Sequence, residues 1–285
     1  MSVKTILVVG SGAMGNGIAQ TCAVAGYDVI MEDVAEEFVE RGLATIKTSL
    51  ARFVKSGKIA EGDLSQILER IHGSTSVPES APKADFVIEA IPEIPDLKMK
   101  MFAELDSLCD PKVVLASNTS QISITAIGAA TKHPDRVVGM HFFNPAPVMK
   151  LVEVVRGLRT AEATVEATRE LAVAIGKDPV VCRDSQGFIV NRAMLVFLAE
   201  CVRMLEEGVG TKEDIDKAIK LGLNHPMGPF ELMDLTGVDI VHHAANGLQE
   251  VLGERFRAPQ LISQMVEAGL IGRKTGAGFY DYSKK

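Results

Sequence analysis

A glycine-rich turn between two apolar strands, close to the start of the chain, constrains the fold more than any other feature. Residues 4–9 form an apolar run, residues 10–15 read GSGAMG, and residues 28–33 form a second run that ends in acid. The GxGxxG pattern alone has about 0.2 chance matches in a chain with this glycine content. Because strand, turn, helix and acid-ended strand occur together, they predict a Rossmann-type dinucleotide-binding fold.

Each glycine of this turn has a different role in binding a dinucleotide. Gly10 permits a tight turn, Gly12 lets the backbone approach the pyrophosphate, and Gly15 lets the helix pack closely on the strand. The start of the helix, with Ala13 and Met14, then faces the phosphates. We therefore expect the pyrophosphate of the cofactor at this turn.

The acid at the end of the second strand indicates which dinucleotide binds. Asp33 would accept hydrogen bonds from the hydroxyls of the adenosine ribose, and its charge would repel a 2′-phosphate. No arginine follows in residues 34–36, so NAD is favoured over NADP. The alternative, in which Asp33 only caps a helix, is less consistent with strand, glycines and spacing found together.

Strands and helices alternate through the rest of the first half. Further strands are predicted at 85–90, 113–116 and 136–140, and helices near 96–109 and 123–130. This alternation predicts a parallel, doubly wound sheet, which binds ligands beyond the carboxyl ends of its strands. Glu93, residues 117–120 and His141 follow three of these ends, so we expect them to surround the nicotinamide.

The interval between the second and third predicted strands is longer than a single crossover helix needs. Its hydrophobic spacing predicts a helical hairpin inserted at about residues 36–72. Ser49, Arg52 and Lys55 line one face of its first helix. From the residues alone, this face either clamps a phosphate-bearing substrate or is an ordinary solvated surface, and the second explanation is the commoner one.

The strand predicted at 178–182 is followed by helical patterns only. The sequence therefore predicts an NAD-binding Rossmann domain over 1–185 and an all-helical substrate and dimerisation domain over 186–285. Asn191 lies in the first turns of an apolar helix, so its amide either contacts a substrate or bonds within the protein. His225 has no acidic partner at a telling distance and is interpreted as structural.

Composition argues against several classes of partner. Thirty basic and 37 acidic side chains give a net charge of −7, which disfavours nucleic acid and anionic membranes. The four cysteines are scattered without CxxC spacing, so we expect reduced thiols and no metal site. No apolar run is long enough to span a membrane. The sequence is typical of a cytoplasmic protein, although a processed organellar protein would look the same.

A histidine at the end of the strand predicted at 136–140 has the chemistry of a general acid or base at neutral pH. His141 is followed twelve residues later by Glu153. A carboxylate at this separation can return beside the imidazole and stabilise its charged form. We therefore expect an enzyme in which His141 exchanges a proton and Glu153 is its partner.

Six separated motifs give the chain a resemblance to a known family. They are GSGAMG at 10–15, ASNTS at 116–120, HFFNPAPVMKLVE at 141–153, GFIVNR at 187–192, NHPMGP at 224–229 and GRKTGAGFY at 272–280. Over essentially the whole length the chain resembles the L-3-hydroxyacyl-CoA dehydrogenases, most closely the bacterial short-chain members that act on 3-hydroxybutyryl-CoA. The resemblance implies NAD-dependent oxidation of a 3-hydroxyacyl-CoA to the 3-ketoacyl-CoA, or the reverse reduction.

The same resemblance implies roles for individual residues. The catalytic group is His141 with its partner Glu153, together with Ser120 and Asn191 at the reacting part of the substrate. The residues placed on the dinucleotide are Gly10, Gly12, Ala13, Met14, Gly15, Asp33, Glu93, Lys98, Ser120, Asn144 and Lys274. Those placed on the CoA substrate are Ser49, Lys55, Ser120 and Asn191, which favours phosphate binding by the hairpin. Members are homodimers joined through the helical domain, so we expect a homodimer.

Two other functions are consistent with this architecture. A related dehydrogenase would act on 3-hydroxyadipyl-CoA or on a sugar acid, and a crystallin-like protein would keep the scaffold without the chemistry. His141, Glu153, Ser120 and Asn191 are all present, which favours catalysis.

Overall fold

The chain divides into two compact units, Met1–Ser185 and Gln186–Lys285, in a computed structural model that describes residues 3–283. The first unit combines strands and helices, and the second contains helices. Each unit has its own cluster of buried hydrophobic residues, as a separate domain requires.

The first unit is built on a sheet that has eight strands within the described residues. The strands are β1 (Thr5–Val9), β2 (Asp28–Glu32), β3 (Ile71–Ser74), β4 (Phe86–Glu89), β5 (Val114–Ser117), β6 (Val137–Phe142), β7 (Leu151–Arg156) and β8 (Asp178–Arg183). They lie in the order β3-β2-β1-β4-β5-β6-β7-β8. Strands β1 to β6 are parallel, β7 is antiparallel to β6, and β8 is parallel to β7. The predicted Rossmann-type fold is confirmed.

Helices cover both faces of this sheet. They are α1 (Ala13–Val24), α2 (Glu36–Lys55), α3 (Leu64–Glu69), α4 (Val77–Ser80), α5 (Pro95–Leu108), α6 (Ile124–Ala129) and α7 (Glu162–Ala174). All residues from Ile6 to Val9 are fully buried, although alternate side chains point to opposite faces of β1. This two-sided burial explains why the central strands are continuous apolar runs and not alternating ones.

The second arm of the predicted hairpin differs from the expectation. In the second part of the hairpin predicted over 36–72, a 3₁₀ turn at Glu61–Asp63 and the short helix α3 precede β3, which pairs with β2. The last residues of the predicted hairpin therefore lie in a strand. The sequence of β3 reads IHGS, which carries no alternation of apolar residues, so periodicity gave no signal for it.

The sequence also does not predict β7 as a strand. Residues 151–156 return antiparallel to β6 directly after the loop that follows it. A tight reversal of this kind is available only to antiparallel strands, since parallel neighbours need a long crossover. The reversal places the second half of the HFFNPAPVMKLVE motif beside its first residue.

The second unit is a helical bundle. Its helices are α8 (Val190–Glu206), α9 (Lys212–Gly222), α10 (Pro229–Thr236), α11 (Val238–Leu252) and α12 (Gln260–Glu267). Two buried carboxylates hold its chain in place. Asp216 accepts the backbone N–H of Phe230 at 2.8 Å, and Asp234 accepts those of Phe279 and Tyr280, each at 2.9 Å. The second carboxylate thereby anchors the C-terminal segment to α10.

The four cysteines are free thiols, as expected. Burial raises the pKa of Cys109 and Cys201 to about 11 and that of Cys22 and Cys182 to about 12. None of them is therefore a thiolate nucleophile at neutral pH. In residues 3–283 no group of acidic, histidine or cysteine side chains is arranged to hold a metal ion. The helices of the same residues include none with the length and hydropathy of a membrane span.

Candidate active site

The turn after β1 has the geometry that a pyrophosphate site requires. Gly10 has a φ of +100°, and a Cβ on Gly15 would lie 1.7 Å from the carbonyl oxygen of Gly10. The fold therefore requires glycine at both positions, whether or not a ligand is bound. A Cβ on Gly12 would meet no protein atom within 4 Å. The glycine at this position leaves open space beside the backbone, and a closely approaching ligand fits that space.

The start of α1 faces this turn without a protein cap. Helix α1 begins at Ala13, and its N-cap residue Gly12 offers no side-chain hydrogen bond. The first N–H groups of a helix have no intrahelical partner, so they are suited to an anion. These residues fit a dinucleotide phosphate.

Asp33 lies directly after β2 and is held by its neighbours. Its Oδ2 accepts the backbone N–H of Ser11 at 2.8 Å and the Ser11 hydroxyl at 2.7 Å. Its Oδ1 accepts the backbone N–H of Val34 at 2.8 Å. The carboxylate is partly exposed and lies beside the glycine turn, as the position of a ribose-binding acid requires.

A second carboxylate joins the loops that follow β4 and β5. Glu93 Oε1 accepts the Thr119 hydroxyl at 2.6 Å and the backbone N–H groups of Ser120 and Gln121 at 2.9 and 3.1 Å. The Ser120 hydroxyl lies 3.3 Å from the same oxygen. The structure thus brings together Glu93 and Ser120, which follow different strands in the sequence.

Lys98 is enclosed in the protein. Its side chain is 1% exposed and forms an ion pair with Glu89, which is fully buried. The Lys98 ammonium also donates to the carbonyl of Ile91 at 3.1 Å and lies 3.5 Å from Glu93. Burial raises the pKa of Glu89, and the Lys98 charge opposes this rise. Lys98 therefore braces the loop after β4, while its contact with a dinucleotide stays a prediction.

The histidine at the end of β6 contacts the carboxylate on β7. His141 and Glu153 are register partners of the antiparallel pair, and His141 Nδ1 lies 2.8 Å from Glu153 Oε2. His141 is 6% exposed and Glu153 is fully buried. When Nδ1 donates to the carboxylate, the basic lone pair of the neutral ring lies on Nε2. A buried negative charge beside the ring stabilises the imidazolium that forms when Nε2 takes a proton.

Asn118 supports this pair through a hydrogen bond that the sequence does not predict. Strand β5 ends at Ser117, opposite Gly139, so the last residues of β6 extend beyond their strand neighbour. Asn118 Oδ1 accepts the backbone N–H of Phe142 at 2.9 Å and replaces the missing strand partner. The residue adjacent to His141 is thereby fixed. The available signal was its place in the ASNTS motif, which does not indicate a role for its side chain.

A cleft of about 500 Å³ lies between α1, α2 and the loop at 145–148. Ser49 lines this cleft together with Arg41 and Arg52. Lys55 is exposed one turn beyond and does not line it. The two guanidinium groups provide positive charge of the kind that binds phosphate.

Three other predicted site residues lie in other segments of the chain. Asn144 is exposed in the loop after β6 and precedes a cis peptide bond to Pro145. Asn191 and Lys274 belong to the second unit, where Asn191 is half-buried at the start of α8 and Lys274 pairs with Asp239 at 2.7 Å.

Two family models cover nearly the whole chain. The NAD binding domain of 3-hydroxyacyl-CoA dehydrogenase matches residues 5–185, and the C-terminal domain of the same family matches residues 187–282. The chain belongs to the 3-hydroxyacyl-CoA dehydrogenase family. The first unit is thus the NAD-binding domain of this family, and the resemblance drawn from the six motifs is confirmed.

Relatives from this family match over their full length. A probable 3-hydroxybutyryl-CoA dehydrogenase from Bacillus subtilis is 46% identical over 100% of this chain and 99% of the relative. A 3-hydroxybutyryl-CoA dehydrogenase from Clostridioides difficile is 43% identical over 98% of this chain and 99% of the relative. The crystal structure of an (S)-3-hydroxybutyryl-CoA dehydrogenase from Ralstonia eutropha has a TM-score of 0.96 at 45% identity and covers 99% of this chain and 100% of that chain.

Proposed function

We propose that the protein catalyses the NAD-dependent oxidation of (S)-3-hydroxybutyryl-CoA to acetoacetyl-CoA and the reverse reduction. The observation that carries the proposal is the contact between His141 Nδ1 and Glu153 Oε2, at 2.8 Å, at the strand ends of an NAD-binding domain. Relatives with 43% and 46% identity bear the name 3-hydroxybutyryl-CoA dehydrogenase, which supports the four-carbon substrate.

The proton step belongs to His141. In the oxidation, the 3-hydroxyl group of the substrate loses its proton to Nε2, the C3–H bond breaks, and the C3–O bond becomes a carbonyl. NAD, when bound, supplies the acceptor for the hydride that leaves C3. Glu153 holds the ring and balances the charge of the imidazolium. Positioned proton transfer of this kind contributes about 10²–10⁴-fold to a rate.

Hydrogen-bond donors near the reacting oxygen complete the proposed site. We assign this role to Ser120 and Asn191, since charge that develops on the oxygen during reduction is stabilised by oriented donors. The Ser120 backbone is held by Glu93, so its hydroxyl has a defined position.

The cofactor residues act through fixed backbone and charge. The N–H groups at Gly12, Ala13 and Met14 take the pyrophosphate, and Gly10 and Gly15 shape the turn that presents them. The other members of the proposed set are Asp33 on the ribose, and Glu93, Lys98, Ser120, Asn144 and Lys274.

The cleft beside α2 is the proposed site of the CoA moiety. Ser49 lines it, and Arg41 and Arg52 supply charge for the CoA phosphates. Lys55, at the end of α2, would reach a phosphate only at the rim of this cleft.

A direct assay tests the proposal. Purified protein mixed with acetoacetyl-CoA and NADH should consume NADH, as measured by the loss of its near-ultraviolet absorbance, and should oxidise (S)-3-hydroxybutyryl-CoA with NAD. A sugar acid such as gulonate should give no turnover with NAD. Turnover of gulonate without turnover of either CoA ester would contradict the proposed substrate.

We also propose a homodimer formed through the second unit, and a cytoplasmic location. The second unit exposes large apolar side chains, among them Leu221 at 76%, Val209 at 68% and Val251 at 63%. A dimer contact through this unit would cover side chains of this kind. Sedimentation equilibrium should give twice the chain mass of 30.6 kDa.

A further inference from the structure

Ser11, the residue between the first two glycines of the turn, lies against the acid that faces the cofactor ribose. It is 4% exposed. Both its backbone N–H and its hydroxyl donate to the same oxygen, Asp33 Oδ2, at 2.8 and 2.7 Å. One residue therefore makes two of the hydrogen bonds to this carboxylate.

These bonds occupy most of the acceptor positions on the Asp33 carboxylate. A carboxylate has about four acceptor positions, two on each oxygen. Ser11 fills both positions on Oδ2, and Val34 N–H fills one on Oδ1 at 2.8 Å. Among the described residues these are the donors to Asp33, so one position remains, and it is on Oδ1. One ribose hydroxyl can be accepted there.

Helix α2 packs against Ser11 from its other side. The Ser11 hydroxyl oxygen also lies 2.8 Å from the carbonyl oxygen of Phe38, in the first turn of α2, but its single proton goes to the charged Asp33 oxygen, which is the nearer and stronger acceptor. Helix α2 can approach because residue 42 is glycine: a Cβ there would lie 3.0 Å from the Ser11 Cβ and 2.9 Å from the Met31 side chain. Ser11 is thus confined between the turn, the acid and α2.

This confinement bears on the choice between NAD and NADP. A 2′-phosphate placed against Asp33 is repelled unless the carboxylate rotates away. Rotation would break both bonds from Ser11, and bonds to a charged acceptor are about twice as strong as neutral ones. Moving the Asp33 carboxylate away from a 2′-phosphate therefore costs both of these hydrogen bonds.

We propose that Ser11 is a positioning residue that makes the preference for NAD strict, because its hydroxyl holds the Asp33 carboxylate in the path of a 2′-phosphate. The proposal rests on the NAD-dependent function proposed above. It differs from the family pattern in assigning cofactor choice to two residues, the acid and the serine that fixes it.

Direct binding measurements test this role. Ser11→Ala keeps the backbone N–H and removes only the hydroxyl. The dissociation constants of NADH and NADPH are measured by fluorescence titration. We expect the NADPH-to-NADH ratio of dissociation constants to fall about tenfold, which is the loss of one charge-assisted hydrogen bond. Ser11→Gly removes the same hydroxyl without adding an atom and should lower the ratio in the same direction.

A matched control tests whether removing a serine hydroxyl elsewhere in the protein has the same effect on binding. Ser107 is exposed on α5, and its hydroxyl donates to the carbonyl of Glu104 at 2.7 Å. Ser107→Ala should leave both dissociation constants unchanged. An unchanged ratio in both Ser11 variants, with a melting temperature near that of the wild type, would overturn the proposal.

A double-mutant cycle tests whether Ser11 acts through Asp33. In an Asp33→Asn background the charge is already absent, so adding Ser11→Ala should change the ratio less than about twofold. A full tenfold effect in that background would also overturn the proposal. A wild-type protein that binds no NADH would instead contradict the proposed function, so the two failures are distinguishable.

Discussion

Buried ionisable side chains have different partners in the two units. In the first unit, buried ionisable side chains form pairs with each other, as His141 does with Glu153, Lys98 with Glu89 and Arg136 with Asp106. In the second unit, Asp216 and Asp234 accept backbone N–H groups and tyrosine hydroxyls.

This difference distinguishes side chains that can transfer a proton from side chains that hold the chain in place. A carboxylate that accepts several backbone N–H groups fixes the chain, because these donors keep their protons and hold it in one place. An imidazole beside a carboxylate can gain and lose a proton within the same geometry. The first unit therefore contains the candidate for proton transfer, and the buried carboxylates of the second unit stabilise its fold.

The largest effect is expected when the imidazole of His141 is replaced. His141→Gln keeps a group that can donate to Glu153 and removes the proton acceptor. We expect the kcat for acetoacetyl-CoA reduction to fall about 10³-fold, within the range of general acid–base catalysis, with little change in melting temperature. Steady-state kinetics and thermal unfolding measure the two quantities.

Glu153→Gln is the matched variant for the other half of the pair. It keeps an acceptor for Nδ1 and removes the negative charge, so kcat should fall about 10²-fold. Full activity in either variant would show that the pair does not carry the proton, and the distinction between the units would lose its basis.

Asp234→Asn should affect stability and not chemistry. An NH₂ group would face one of the N–H donors of Phe279 and Tyr280, leaving buried donors unpaired. We expect the free energy of unfolding of the second unit to fall by about 3 kcal/mol, as measured by urea denaturation. Asp281, which is exposed and accepts from Ser283, provides the control. If Asp281→Asn destabilises the protein equally, burial is not the reason for the loss.

The smallest effect concerns the acid before Asp33. Burial, with the nearby charges of Asp33 and Glu104, raises the pKa of Glu32 from 4.5 to about 7. A raised carboxyl pKa means that its contribution to stability is full below 4.5 and is lost as the pH rises through 7.

Glu32→Gln removes this dependence. Relative to the wild type, the variant should gain about 1–2 kcal/mol of stability near pH 8 and little near pH 4.5. Thermal unfolding across this pH range measures the difference. A difference that does not vary with pH would mean that Glu32 does not titrate in the folded protein.

Features carried by adjacent residues were predictable. The glycine turn, the helix that follows it and the acid-ended strand lie within the first 33 residues, so local spacing was sufficient to predict the Rossmann fold. Strand β3 was not predictable in this way, because its sequence IHGS has no strand pattern and it forms by pairing with the edge of β2.

The candidate site was predictable as a set of residues and not as a set of contacts. His141 and Glu153 were identified from their chemistry, while their contact depends on the antiparallel return of β7, which sets them opposite each other. Asn118 and Ser11 gave no separate signal, since their roles consist of hydrogen bonds to residues distant in the sequence, Phe142 and Asp33.

The fold class, the family and the residue types available for hydride and proton transfer follow from the order of the amino acids alone. These depend on side-chain chemistry and on periodicities that short segments carry alone. Which groups touch depends on how the chain folds in three dimensions. Ser11 and Asp33 are 22 residues apart, and Glu93 and Ser120 are 27 apart. Contacts of this kind form only when separate strand ends meet at one edge of the sheet.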